Sequence, residues 1–66
     1  MTLQINGEAR DLPELANVAE LVKELALPAA TLLVEHNRSA LQREEWTATP
    51  LKDGDRIELL RIAAGG

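Results

Sequence analysis

The sequence holds no cysteine, no tyrosine and no phenylalanine; Trp46 is its one aromatic residue and His36 its one imidazole. Without cysteine there is neither a disulfide framework nor a thiolate metal site. Without further aromatic side chains there is no platform on which bases or sugars stack. Basic residues are also few: 7 Lys and Arg against 11 Asp and Glu, a formal charge of −4. The cations Arg10, Lys23, Arg38, Arg43, Lys52, Arg56 and Arg61 are scattered along the chain. Such a balance repels polyanions, so nucleic acid is not an expected ligand, and a basic protein surface is the better match. Apolar runs of the roughly 18 residues that span a bilayer are missing, as is a signal-peptide-like start, so a cytoplasmic protein without membrane contact is expected.

What is present is aliphatic. Apolar residues make up 45% of the 66 positions, nearly all Leu, Ala, Val and Ile. A chain of this size forms one small domain that buries about 60% of its unfolded surface, and its stability is correspondingly modest. "MTLQI" alternates Met1, Leu3 and Ile5 with Thr2 and Gln4, the pattern of a half-buried strand. Asn6-Gly7 supplies the two positive φ angles of a type I′ turn, and "EARDL" returns as a weaker strand. Asn17 and Glu20 form a capping box ahead of Val18, Leu21, Val22 and Leu25, one apolar helix face. Pro28 is expected to stop that helix by pushing Leu27 out of the α region.

"TLLVEH" reads as a third strand, with Leu32 and Val34 on one face and Leu33 and Glu35 on the other. A turn, a short extended piece around Leu41 and one helical turn near Trp46 follow. "KDGD" is a turn around Gly54, and "RIELLRI" is the last strand. The order β, β, α, β, short β, β predicts an α+β domain: a mixed sheet of four to five strands with one helix packed across it. A ubiquitin-like β-grasp is one of several small folds with that order.

The domain offers little chemistry of its own. His36 lies at a strand end without a partner in the pattern and reads as a solvated turn residue. Asp53 and Asp55 flank a turn glycine and are too few for the six or more oxygens Ca²⁺ takes. Glu44 and Glu45 read as an exposed pair, and Trp46 as a lid on the core or an interface anchor. Phosphate-binding, dinucleotide-binding and zinc-protease motifs are all missing.

The sequence closes on "IAAGG". A carboxylate is a poor electrophile, but an acyl-adenylate, with phosphate as leaving group, is a good one. An enzyme that forms it must draw the tail into a closed cleft holding ATP and metal. Ala63, Ala64 and Gly65 are slim enough to thread such a cleft, and Gly66 would present an unhindered carbonyl carbon. The bland alternative is a frayed end. The expected division is therefore a domain over 1–62 and a flexible, reactive tail over 63–66. In the last strand Ile57 and Leu59 point inward, which leaves Leu60 and Ile62 outward; with Leu33 they form a candidate docking patch for a partner. A second core layer under a loop is the competing reading of that patch.

Three stretches, "VAELVKEL", "VEHNRSALQREEWTATPLKDGDRIELL" and the final "AGG", resemble the ThiS family of sulfur carriers in thiazole biosynthesis. Asn37, the R-x-x-W of Arg43 to Trp46, the Asp-Gly-Asp turn and the Gly-Gly end carry the resemblance. Arg38 departs from it, since the family often has glycine there. The resemblance implies a β-grasp carrier that is not itself an enzyme and binds no cofactor. It implies adenylation of Gly66 by a ThiF-like adenylyltransferase using ATP and Mg²⁺. Sulfur from a cysteine desulfurase relay then gives a thiocarboxylate, which a ThiG-like thiazole synthase consumes. A MoaD-like carrier for molybdopterin synthesis is the nearest alternative, although "LLRIAAGG" lacks the proline of that group. An interaction module that never reacts and a ubiquitin-like conjugation tag are the others.

Overall fold

The computed structural model describes residues 1–62; the expected tail, 63–66, lies outside the described residues. Strands β1 (Thr2–Ile5) and β2 (Glu8–Asp11) form the first hairpin, followed by helix α1 (Val18–Glu24). A 3₁₀ turn at Ala29–Thr31 leads into β3 (Leu32–His36) and β4 (Ser39–Leu41). A second 3₁₀ segment, Arg43–Ala48, precedes β5 (Arg56–Arg61). The five strands make one sheet in the order β2-β1-β5-β3-β4. β1 and β5 are parallel, and the other neighbours are antiparallel. The α+β arrangement expected from the pattern is present, with the last strand in the middle of the sheet.

Period-two alternation sets which side chains enter the core. Leu3 and Ile5 of β1, Leu32 and Val34 of β3, and Ile57 of β5 are buried on one sheet face. Val18, Leu21 and Val22 of α1 cover them, joined by Leu15, Leu51 and Trp46. Trp46 is 5% exposed and belongs to the core; its Nε1 finds no partner among the described residues. The 3₁₀ segment carrying it opens on a capping box in which Glu45 Oε1 accepts the Gln42 N–H at 2.6 Å. Glu45, expected as a plain surface residue, thus has a local structural role.

Helix α1 begins as the sequence indicates, with one shift. Asn17 Oδ1 accepts the Glu20 N–H at 2.9 Å, but Glu20 Oε1 reaches back to the N–H of Ala16 rather than Asn17. The helix ends before Pro28 exerts any influence. Ala26 adopts φ 55°, its N–H donates to Lys23 O, and the Leu27 N–H donates to Val22 O. These two bonds are a Schellman closure built on alanine where glycine is the unstrained choice. The helix is thus stopped by its own C-terminal hydrogen bonds, and Pro28 follows a helix already closed.

Strand β5 is held on both edges by asparagines from the two hairpin turns. Asn6 Oδ1 accepts the Leu59 N–H at 2.7 Å and Asn6 Nδ2 donates to Leu59 O at 3.2 Å. That side chain extends the β1–β5 ladder beyond the end of β1. On the other edge Asn37 Oδ1 accepts the Arg56 N–H, while the Asn37 N–H donates to Arg56 O, both at 2.8 Å. The Asp-Gly-Asp turn ties in the strand's start. Asp53 accepts the Thr2 N–H at 2.6 Å, and Asp55 accepts from the Lys52 N–H, from Asn37 Nδ2 and from His36 Nε2. A carboxylate only accepts, so Nε2 carries the proton in that 2.8 Å contact. His36, expected as a solvated turn residue, is instead a largely covered partner of Asp55, with its side chain 19% exposed.

Two stability predictions follow from these contacts. Ala26→Gly removes the left-handed strain and is expected to stabilise the domain by about 1 kcal/mol, raising Tm by about 4–8 °C. An unchanged or lower Tm would contradict the strained closure. For Asp55, burial raises the pKa, but hydrogen bonds from His36, Lys52 and Asn37, with the His36 charge, outweigh it and leave the carboxyl below its ordinary 3.8. A depressed folded-state pKa means the unfolded chain takes the proton first. The contribution of Asp55 is therefore full above pH 3.8 and lost as pH falls through its folded value. Asp55→Asn is expected to cost about 1–3 kcal/mol near neutral pH and to flatten the loss of stability below pH 4 in urea titrations. Equal acid limbs in both proteins would refute this role.

Candidate functional site

The helix covers one face of the sheet and leaves the other open. On that open face β3 contributes Leu33 and Glu35, and β5 contributes Arg56, Glu58 and Leu60. The antiparallel register places Leu33 opposite Leu60 and Glu35 opposite Glu58. Ile62 follows on the same side, and its N–H donates to Thr31 O at 2.7 Å, so the ladder continues to the last described residue. Leu33, Leu60 and Ile62 are 50%, 64% and 50% exposed, the large apolar residues that the described chain leaves in solvent. The sequence expectation that these three share an outward face matches their placement. They are not a second core layer, because no described segment covers them.

A shallow depression on this face is lined by Leu33, Leu60, Glu35, Glu58, Arg38 and Arg56. The face divides along the strands into an apolar half near Ile62 and a charged half near the β3–β4 turn. Arg56 Nε lies 3.9 Å from Glu58 Oε1, a half-exposed pair that adds little stability. An apolar anchor with charged groups beside it is an arrangement that protein interfaces share. Among the described residues it encloses no space for a substrate.

The other residues considered for chemistry have structural positions. His36, Asp53 and Asp55 hold the start of β5, Glu45 caps its 3₁₀ segment, and Trp46 fills the core. Among the described residues no group of three or more His, Cys, Asp or Glu side chains is placed to hold a metal ion. No described helix is long and apolar enough to cross a membrane. Sequence reasoning missed Asn6 and Asn37 as the side chains that position β5. The signal for Asn6 was its place in a turn, which explains its φ but not a hydrogen bond spanning 53 residues. Ala63, Ala64, Gly65 and Gly66, the expected tail, lie outside the described residues.

Comparison with known proteins bears on this geometry. The ThiS family model matches residues 3–66. The sulfur carrier protein ThiS of Escherichia coli is 30% identical over 66 residues, covering all of both chains. A thiazole synthase of Paramagnetospirillum magneticum is also 30% identical over 66 residues, and there this chain spans only 20% of the relative's length. A crystal structure of the thiamine biosynthesis protein ThiS from Geobacter metallireducens superposes with a TM-score of 0.86 at 39% identity, covering all of both chains. A solution structure of a thiamine biosynthesis protein from the same organism gives 0.84 at 38% identity, covering all of this chain and 88% of that one. The five-stranded sheet with its single packed helix is therefore the β-grasp of these proteins. With the match running through almost the whole sequence and the fold shared end to end, this chain belongs to the ThiS family.

Proposed function

We propose that this chain is a sulfur carrier that supplies the thiazole ring of thiamine, with Gly66 as the residue that carries the sulfur. The observation that bears most weight is the exposed row of Leu33 on β3 with Leu60 and Ile62, which leads to the last residue before Ala63-Ala64-Gly65-Gly66. A patch at the root of a slim tail lets a partner grip the domain and thread the tail in one binding event. Family membership supports the chemistry at its tip.

In this reading a ThiF-like adenylyltransferase binds ATP and Mg²⁺, and a carboxylate oxygen of Gly66 attacks the α-phosphorus as pyrophosphate leaves. A persulfide of a cysteine desulfurase relay attacks the acyl-adenylate, and AMP departs from the carbonyl carbon. A thiol then cleaves the resulting acyl disulfide, ending as a disulfide with the relay sulfur and releasing the terminal sulfur on Gly66. The resulting thiocarboxylate is the form consumed by a ThiG-like thiazole synthase. The carrier contributes no catalytic group and binds no cofactor of its own. Its domain supplies the handle, and its glycines keep side chains away from the reacting carbon. Thiazole synthase as partner draws support from the Paramagnetospirillum magneticum relative, in which a segment similar to this chain forms part of a protein of that name. The ThiS match, together with the proline-free "LLRIAAGG", favours this pathway over the MoaD-like alternative.

Two variants test the reading. Leu60 and Ile62 are at least half exposed, so Leu60→Asp with Ile62→Asp is expected to leave the domain folded by circular dichroism. The same double variant is expected to weaken binding to thiazole synthase by more than about tenfold, as loss of an apolar anchor does. Wild-type affinity in a folded double variant would sink the docking patch. Deleting Gly66 is expected to preserve binding while abolishing thiazole formation in a reconstituted mixture. Thiazole formation that survives the deletion would exclude the carrier role, and a protein that binds but never supports the reaction even intact would be an interaction module.

A further inference from the structure

The two β-hairpins close on turns of the same length and the same handedness, and they differ in one residue. Asn6-Gly7 has φ of 49° and 84°, and Asn37-Arg38 has φ of 48° and 74°. The first hairpin thus places glycine at the second position, where a left-handed backbone costs nothing, and the second places arginine there. A non-glycine residue in this region carries strain of about 1–2 kcal/mol. Nothing in the described chain offsets it: Arg38 is exposed and enters no ion pair among the described residues. Of its neighbours on the open face, Arg56 lies beside Glu58, and Glu35, opposite Glu58, also enters no ion pair among the described residues.

Arg38 lines the charged half of the depression whose apolar half is Leu33 and Leu60. It is thus a guanidinium without an ion-pair partner among the described residues, at the rim of the surface proposed to dock on a partner. We infer that Arg38 is a specificity residue of that interface, pairing with a carboxylate on the surface of the thiazole synthase; this rests on the docking reading above. The planar fork of arginine matches a carboxylate through two parallel N–H bonds, which lysine does not reproduce. A nucleotide phosphate at the reacting tip is the wrong counter-ion on grounds of distance. Arg38 sits at the end of the sheet where β5 begins, and Ile62, the last described residue, lies at the other end. The six strand steps from Arg56 to Ile62 alone separate them by roughly 20 Å.

The test uses four full-length chains, wild type, Arg38→Gly, Arg38→Gln and Arg38→Lys, titrated against thiazole synthase at two salt concentrations. Arg38→Gly is expected to raise Tm by about 4–8 °C for each 1 kcal/mol of strain removed. It is also expected to weaken binding by about tenfold, the size of one charge-assisted contact. A variant that is more stable yet binds worse cannot be explained by damage to the fold. Arg38→Gln keeps the strained backbone without the charge and is expected to lose the same affinity, with a flatter salt dependence. Arg38→Lys is expected to fall between. If the glycine and glutamine variants bind like wild type, the assignment of Arg38 is wrong while the docking patch stands. If wild type itself does not bind thiazole synthase, the docking reading and this assignment fall together.

Discussion

Insertion of the last strand between the first and the third is the contact on which the rest of this structure depends. Without β5 the sheet is two separate hairpins, and α1 has no continuous apolar face to cover. Ile57, near its start, is fully buried and sits between Ile5 of β1 and His36 of β3. The hydrogen bonds that seat it span 53 residues on the Asn6 side and 19 on the Asn37 side. Pairings of such separation close large loops before they return any energy, so the domain is complete only when its C-terminal strand docks.

That order of assembly has a functional reading. The strand that finishes the fold also carries the outward Leu60 and leads to Ile62, so the exposed row is positioned by the same ladder that completes the sheet. Asn6 and Asn37 act on the strand's backbone and leave its outward side chains free for a partner. The Asp55 cluster anchors the start of the strand in the same way. A small aliphatic core has little bulk to rely on, and this one is secured by fastening one strand along both edges.

Much of this was legible in the sequence because it rests on short-range patterns. Alternation in "MTLQI" and "TLLVEH", the helical spacing of Val18, Leu21 and Val22, and the Asn-Gly turn all specify their elements locally. The outward placement of Leu33, Leu60 and Ile62 followed from the same alternation. What the pattern did not hold is what long separation decides. Strand order depends on which strand β5 chooses, and the side-chain bonds of Asn6 and Asn37 exist only once it has chosen. Leu15 and Leu51 enter the core from segments without periodicity. Ala26 and Arg38 take backbone angles that favour glycine, so composition pointed away from them. His36 looked isolated because its partner, Asp55, lies 19 residues along the chain.

The central claim is that the domain is a handle and that the chemistry takes place at Gly66. It is tested most directly by the intact mass of the chain after incubation with ATP, Mg²⁺, a ThiF-like adenylyltransferase and a sulfur donor. The account predicts a gain equal to the exchange of one oxygen for sulfur, localised to the C-terminal peptide and dependent on ATP. An unchanged mass, with the same enzymes active on the Escherichia coli carrier, would contradict it.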